Sequence, residues 1–468
     1  MPWLSRVGRS LRRTLPAPTS GRRRAVGSAL YLSIVAGMGS VLGPLFIPYL
    51  VREPTVHVTV TPRVLATWNG PEQAAFQVVL AHFQDQRHIR VSYQTANQQL
   101  PLYVDQALSN GTPPDIAFLP QPGELTDLAA RGRLVPLDHV VDPGALSDVD
   151  ALWRRYASWR GRLYGVYFKV ADKSVVWYQP ALFRRAGIEA PPATWDELLA
   201  DAAALRRAGI TPFAMCGASG WTLTDWFENL YLQTAGPNAY QALAVHAPSA
   251  SWRDPSVAHA LGLMAAAFAP ENALRGATGI VSTDYPACVN VAFSRGSGVA
   301  MVMEGDFVQN EIRSLDPSLR AGPTGDFDFF RFPVAGPADP TGVVVGGDVA
   351  VMLRDTPEAR ALIQYLSTRD AGSAWVRQGG FISPHRRLPG SDYPNALSRS
   401  LAAQVTSGSP LAFDMSDQAP ALFGSTVGQG EWADLQQWLA GPSPGDPAAI
   451  RAVQDRLERD AEAAYPSP

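Results

Sequence analysis

Residues 162–198 read RLYGVYFKVADKSVVWYQPALFRRAGIEAPPATWDEL, and the fold turns on this stretch. Residues 166–170 and 174–178 are rich in β-branched and aromatic side chains, the composition of strands. Pro180 opens a short helix that Gly187 ends. Thr194 stands three residues before Glu197, the spacing of a capping box in which hydroxyl and carboxylate each satisfy a free amide at a helix start. Between the two strands sit Asp172 and Lys173. Burying such a pair without partners is costly, so it belongs either at a strand end facing water or in a cleft.

Upstream, residues 56–66 form an apolar strand running into Trp68-Asn69-Gly70-Pro71. Pro71 suits the first turn of a helix and Glu72 its positive end, so a helix is expected to about Arg87. A strand at 89–93, a helix at 102–108, a strand at 115–119 and a helix at 125–130 follow. Such alternation predicts an α/β fold with a parallel sheet covered by helices on both faces. Ligands of such sheets bind at the carboxyl ends of strands, which puts Trp68, Asn69 and Gln121 at one rim. Downstream, strands are expected at 210–215, 299–303 and 342–353. The last carries Gly346-Gly347, a sign of a bulge or of a close approach. A helix at 221–234 holds Trp221 and Trp226, which point roughly 140° apart at 3.6 residues per turn, so at least one belongs to the core. A charged amphipathic helix is expected at 448–463.

The chain has 468 residues, too many for one ordinary core, and its 46% apolar content is that of a globular protein. A net charge of −3 gives no reason to expect a nucleic-acid partner. Residues 1–24 are arginine-rich and free of acids, and 25–51 carry no charge. That run is long enough to cross a bilayer, with the basic N-region on the cytoplasmic side. An uncleaved signal anchor is favoured over a cleaved secretory signal, because no small-x-small cleavage site is evident. The binding domains would then be extracellular, anchored at the cell membrane, or secreted if the segment is cleaved. Outside the cytoplasm the two cysteines, Cys216 and Cys288, form a candidate disulfide, with two separate buried thiols as the alternative.

Several enzyme chemistries lack their residues. Neither lysine follows a glycine, which excludes a P-loop, and no His-Glu-x-x-His zinc motif occurs. The one Gly-x-Ser-x-Gly, at 441–445, has prolines on both sides of Ser443 and reads as a linker, not as a nucleophile elbow. No catalytic residue, metal site or cofactor is therefore expected, and binding is favoured over catalysis.

The ordered landmarks resemble the extracellular solute-binding proteins of ABC importers, in the carbohydrate-binding cluster that includes maltose-binding protein. The matching pieces are Trp68-Asn69-Gly70, Pro114-Asp115-Ile116 with Gly123-Glu124-Leu125, the opening stretch with its Leu-Phe-x-x-Ala-Gly-Ile and Pro-x-Thr-Trp-Asp-Glu patterns, the strand before Gly305, Gly346-Gly347, and Phe381-Ile-Ser-Pro384. The resemblance implies a two-lobed, hinged α/β fold of the periplasmic-binding-protein type. Lobe I would take 56–168 plus about 340–372, and lobe II 169–339 plus about 373–468. A ligand held better by the closed than by the open form would drive closure about the hinge. The resemblance further implies a monomer that captures a sugar or oligosaccharide and delivers it to permease subunits with a separate ATPase. Alternatives are a polyol or glycerol phosphate ligand, a sensor ectodomain, or a carbohydrate-active enzyme. Matched position by position, the ligand-binding residues would be Trp68, Asn69, Gln121, Asp172, Trp221, Asp225, Gly305, Asp306, Phe307, Gly347, Asp348 and Phe423, with Asp172 facing the cleft and Lys173 facing solvent. Rings that stack on sugar faces, beside Asp, Asn and Gln that pair with hydroxyls, suit such a ligand.

Overall fold

The structure is a computed structural model that describes residues 61–96, 100–335, 342–406, 408 and 410–465. The expected basic region 1–24 and apolar segment 25–51 lie outside the described residues. Among the described residues no helix is long and apolar enough to cross a membrane.

In chain order the strands are β1 (Arg63–Ala66), β2 (Ser92–Thr95), β3 (Ile116–Leu119), β4 (Ser158–Trp159), β5 (Arg162–Leu163), β6 (Gly165–Asp172), β7 (Val175–Tyr178), β8 (Thr211–Phe213), β9 (Val299–Met303), β10 (Asp328–Arg331), β11 (Val343–Met352) and β12 (Leu411–Phe413). β4 and β5 pair only with each other. The remaining strands form two sheets. The first has the order β12-β11-β3-β1-β2, with β6 also paired to β11. Its β1 runs parallel to β2 and β3, as alternation with helices predicts, while β11 runs antiparallel to β3 and β6. The second has the order β10-β7-β9-β8. Two core clusters result, and they share strands: Val175 and Trp177 of β7 and Val299 and Val302 of β9 reach into the first, and Val344 of β11 into the second. Rings such as Phe76, Phe118 and Trp375 fill the first, and Trp226, Phe227 and Phe268 fill the second.

β6 is buried along all eight residues and belongs to the first sheet, whereas β7 belongs to the second. The chain therefore crosses between lobes at Lys173 and Ser174, at the end of β6 and not before Lys169 as expected. A second crossing lies between β10 and β11. The third comes later than the expected 373. Trp375, Phe381, Leu401 and Phe413 pack in the first core and β12 belongs to the first sheet; Ala412 points from β12 into the second core, and from Met415 on the buried apolar side chains belong to the second. β11 does carry a bulge, a register shift between Asp348 and Val349 beside the glycine pair.

Local signals produced the expected ends. Pro71 lies in the first turn of the helix Gly70–Arg87, which closes at His88 in the left-handed conformation. The Thr194 capping box forms, with the Glu197 carboxylate accepting from the Thr194 amide at 3.0 Å. The final helix, Pro447–Ala464, lays Ile450, Val453, Leu457 and Ala461 on the second core, as its amphipathic pattern predicts.

Candidate functional site

Where the two sheets approach, the structure holds a cavity of about 870 Å³. Its first-lobe wall is the rim expected from β1 and β3: Trp68 and Asn69 after β1, Gln121 after β3, and Gly347 and Asp348 at the bulge of β11. Its floor is β6. Strand side chains alternate between faces, and here Lys169, Ala171 and Lys173 line the cavity. Gly347 is needed beside them, because a side chain there would start 2.7 Å from the Lys169 carbonyl oxygen.

The second-lobe wall is aromatic. Trp221 opens the helix Trp221–Ala244, Tyr285 opens the helix Tyr285–Phe293, and Phe307 precedes the helix Val308–Leu315. Their ring centroids are 5.4 Å (Trp221–Tyr285), 5.9 Å (Trp221–Phe307) and 5.6 Å (Tyr285–Phe307) apart, tilted or edge-on to one another. Trp432 joins this side, and its buried indole N–H has no hydrogen-bond partner among the described residues. Gly220, at φ +77°, lets the chain turn against Trp432; a Cβ there would lie 2.8 Å from that of the tryptophan.

Several expected residues take other roles. Asp172 is fully buried with its back to the cavity, one position out of phase with Lys169, Ala171 and Lys173. Its carboxylate accepts from the Ser174 amide at 2.9 Å and shapes the crossing turn. Lys173, expected in solvent, is buried and ion-paired to Asp414, to Asp225 at 3.2 Å and to Asp417 at 3.5 Å. Asp225 is therefore a support for Lys173 and does not line the cavity. The Gly305 carbonyl accepts from the Trp177 indole at 3.0 Å, and the buried Asp306 accepts from the Asp172 amide at 3.0 Å. Neither lines the cavity; of that loop Phe307 alone does. Phe423 lies in the core between Trp252 and Tyr465, at 5.5 and 5.9 Å, and the late aromatic at the cavity is Trp432. Trp68 lines the cavity edge but is 2% exposed. Phe76, Phe118 and Trp375 crowd it within 4.9 Å, and its N–H donates to Asp348 at 3.2 Å. Trp226 is core, as the helical angle predicts. Cys216 and Cys288 are buried free thiols that neighbour each other.

Glu72, Lys169, Tyr285, Glu311 and Trp432 also line the cavity and were not anticipated. Lys169 and Lys173 were open to discovery through the alternation of β6. Glu72 is ion-paired with Lys169 and lies 3.5 Å from the Asn310 amide of the other lobe. Glu311, half-buried one helical turn beyond Phe307, is raised above the usual carboxylate range by burial and by Glu72. Burial also lifts Asp348 to about 6 and Asp172, Asp225 and Asp306 to about 7. Burial alone would lower the Lys173 ammonium; its three carboxylate neighbours outweigh that and hold it well above its ordinary value. Among the described residues no cluster of His, Cys, Asp and Glu could hold a metal ion, and no arginine lines the cavity.

Residues 67–373 match the family described as bacterial extracellular solute-binding protein. The chain is 30% identical over 388 residues to the osmoprotective compounds-binding protein GgtB of Synechocystis sp., covering 81% of this chain and 88% of that one. It is 29% identical over 405 residues to the alpha-glucosides-binding periplasmic protein AglE of Rhizobium meliloti, covering 83% and 85%. Among solved structures, the bacterial solute receptor AcbH, described as preferring β-D-galactopyranose, superposes with a TM-score of 0.73 at 20% identity, covering 87% of this chain and 99% of that one. The maltotriose binding protein of Thermus thermophilus gives 0.65 at 16% identity, covering 87% and 100%. A two-lobed fold closing on a cavity at the lobe boundary and a family match over most of the described residues agree: the chain belongs to the bacterial extracellular solute-binding proteins.

Proposed function

We propose that this protein captures a polyhydroxylated glycoside, of the α-glucoside or osmoprotectant kind that its relatives are named for, and delivers it to the permease of an ABC importer. The observation that carries this is the asymmetry of the cavity: an aromatic wall of Trp221, Tyr285, Phe307 and Trp432 faces a polar wall of Asn69, Glu72, Gln121 and Asp348. Sugar rings present apolar C–H faces to the one and hydroxyls to the other. A glycerol phosphate would call for bidentate arginines, and the cavity offers none among the described residues. The segment 25–51 is the anchor that keeps the lobes outside the membrane, and the protein works as a monomer. In that oxidising setting Cys216 and Cys288 join as a disulfide.

Calorimetry of residues 55–468 against α-glucosides, β-galactosides and polyol glycosides should give saturable binding to at least one class; no heat with any of them would sink the proposal. Mass spectrometry of membrane-extracted protein should find the chain intact through residues 25–51. Thiol counting on protein denatured without reductant should find no free cysteine.

A further inference from the structure

Among the described residues, every charged group at the cavity but one is already engaged. Glu72 holds Lys169, Asp417 holds Lys173, and Asp348 accepts from Trp68. Asp284 caps its own helix by accepting from the Ala287 amide at 2.9 Å. Glu311 is left with neither an ion pair nor a hydrogen bond among the described residues, and the charge that acts on it, Glu72, is of like sign. It stands one turn beyond Phe307 on the same helix, next to the Phe307–Tyr285 edge of the aromatic wall. The Tyr285 hydroxyl and the Trp432 N–H, both buried at that wall, lack partners as well.

A half-buried carboxylate without a counter-ion, in a cavity whose wall also holds the Phe307 and Tyr285 rings, is favourable for a cation and unfavourable for an anion. We propose, resting on the glycoside reading above, that the cavity prefers a ligand carrying a basic amine, an amino sugar or amino-polyol glycoside, and that Glu311 is the residue that sets this preference. The ammonium would sit between Glu311 and the faces of Phe307 and Tyr285. Both lysines are held by protein carboxylates and so would not repel it. The remaining hydroxyls of the ligand would then meet the orphaned Tyr285 hydroxyl and Trp432 N–H.

The test is calorimetry at pH 7 with the full binding region, wild type and Glu311→Gln. The probes are α,α-trehalose and maltose, each beside derivatives in which one hydroxyl, at C2, C4 or C6, is replaced by an amine. The expected result is that at least one amine binds about tenfold more tightly than its parent, the scale of one charge-assisted contact. In Glu311→Gln the amine and its parent should bind alike. If every amine binds no better than its parent, the inference is overturned and the glycoside reading stands. If the preference persists in Glu311→Gln, the assignment to Glu311 is overturned. If neither parent nor amine binds, the glycoside reading falls and takes the inference with it.

Discussion

At the scale of single residues, an aromatic ring in the cavity wall and one in the core look alike in a sequence but differ in what their loss removes. Trp221 is half-buried at the cavity, so Trp221→Ala should weaken ligand binding by about 1–3 kcal/mol with little change in the denaturation midpoint. Phe423 is 1% exposed between Trp252 and Tyr465, so Phe423→Ala should cost about 3–5 kcal/mol of stability and leave the affinity of the folded fraction near wild type. Urea titration and calorimetry on both variants check this; a loss of affinity in Phe423→Ala without loss of stability would return that ring to the site. Asp172→Ala belongs with the second kind. Its carboxylate braces the Ser174 amide, so the change should lower stability by about 1–3 kcal/mol and touch affinity only indirectly. The orientation of Asp172 is legible in the pattern of β6. Alternation allows only one of Asp172 and Lys173 to face the cavity, and two lysines, each two positions from the small Ala171, mark the phase. Trp432 was not legible in this way, since its position depends on where Gly220 brings another segment against it.

At the scale of elements, Lys173 ties three pieces of chain together at the crossing. It stands after β6, Asp225 is on the helix Trp221–Ala244, and Asp414 and Asp417 belong to the segment that follows β12. Those partners lie 52, 241 and 244 residues away, which is why local sequence pattern read Lys173 as solvated. Strand and helix ends, by contrast, are set within a few residues, and Pro71, Thr194 and Glu197 announced them. Lys173→Met should destabilise the protein by about 3–5 kcal/mol at pH 8, because it strands buried carboxylates without a cation. At pH 5 the penalty should shrink, since the carboxyls can take up protons in place of the lost ammonium; Asp225 is already pushed up to about 7 by burial. Equal destabilisation at the two pH values would show that the ion pairs, and not the shape of the side chain, were the wrong explanation. The third crossing is hidden in the sequence for a related reason. The helices between Arg369 and Thr406 are amphipathic in the ordinary way, and nothing in them says which of two cores they cover.

At the scale of the whole molecule, the lobe boundary concentrates carboxyl groups whose proton affinities burial has raised: Asp348 to about 6, and Asp172, Asp225 and Asp306 to about 7. Each keeps its proton in the folded state over a range where the unfolded chain, titrating near 4, has released it. The folded state then binds more protons than the unfolded state between about pH 4 and 7, so stability must fall as pH rises through that window and level off above it. Carboxylates lowered by their partners act in the opposite sense at the acid end. Asp316, at about 2 because Ser318 and Arg295 hold its charged form, and Asp148, lowered by His385, stabilise above pH 4 and lose that contribution as pH falls below it. The two trends meet, so the unliganded protein should be most stable at mildly acidic pH, near 4 to 5, and its melting temperature should decline from pH 5 to pH 7 and level off above that. Differential scanning calorimetry from pH 4 to 9 reads this directly. A melting temperature that is flat or rising between pH 5 and 7 would mean that the buried acids are ionised and solvated in the folded protein, and that the lobe boundary is wetter than its packing implies.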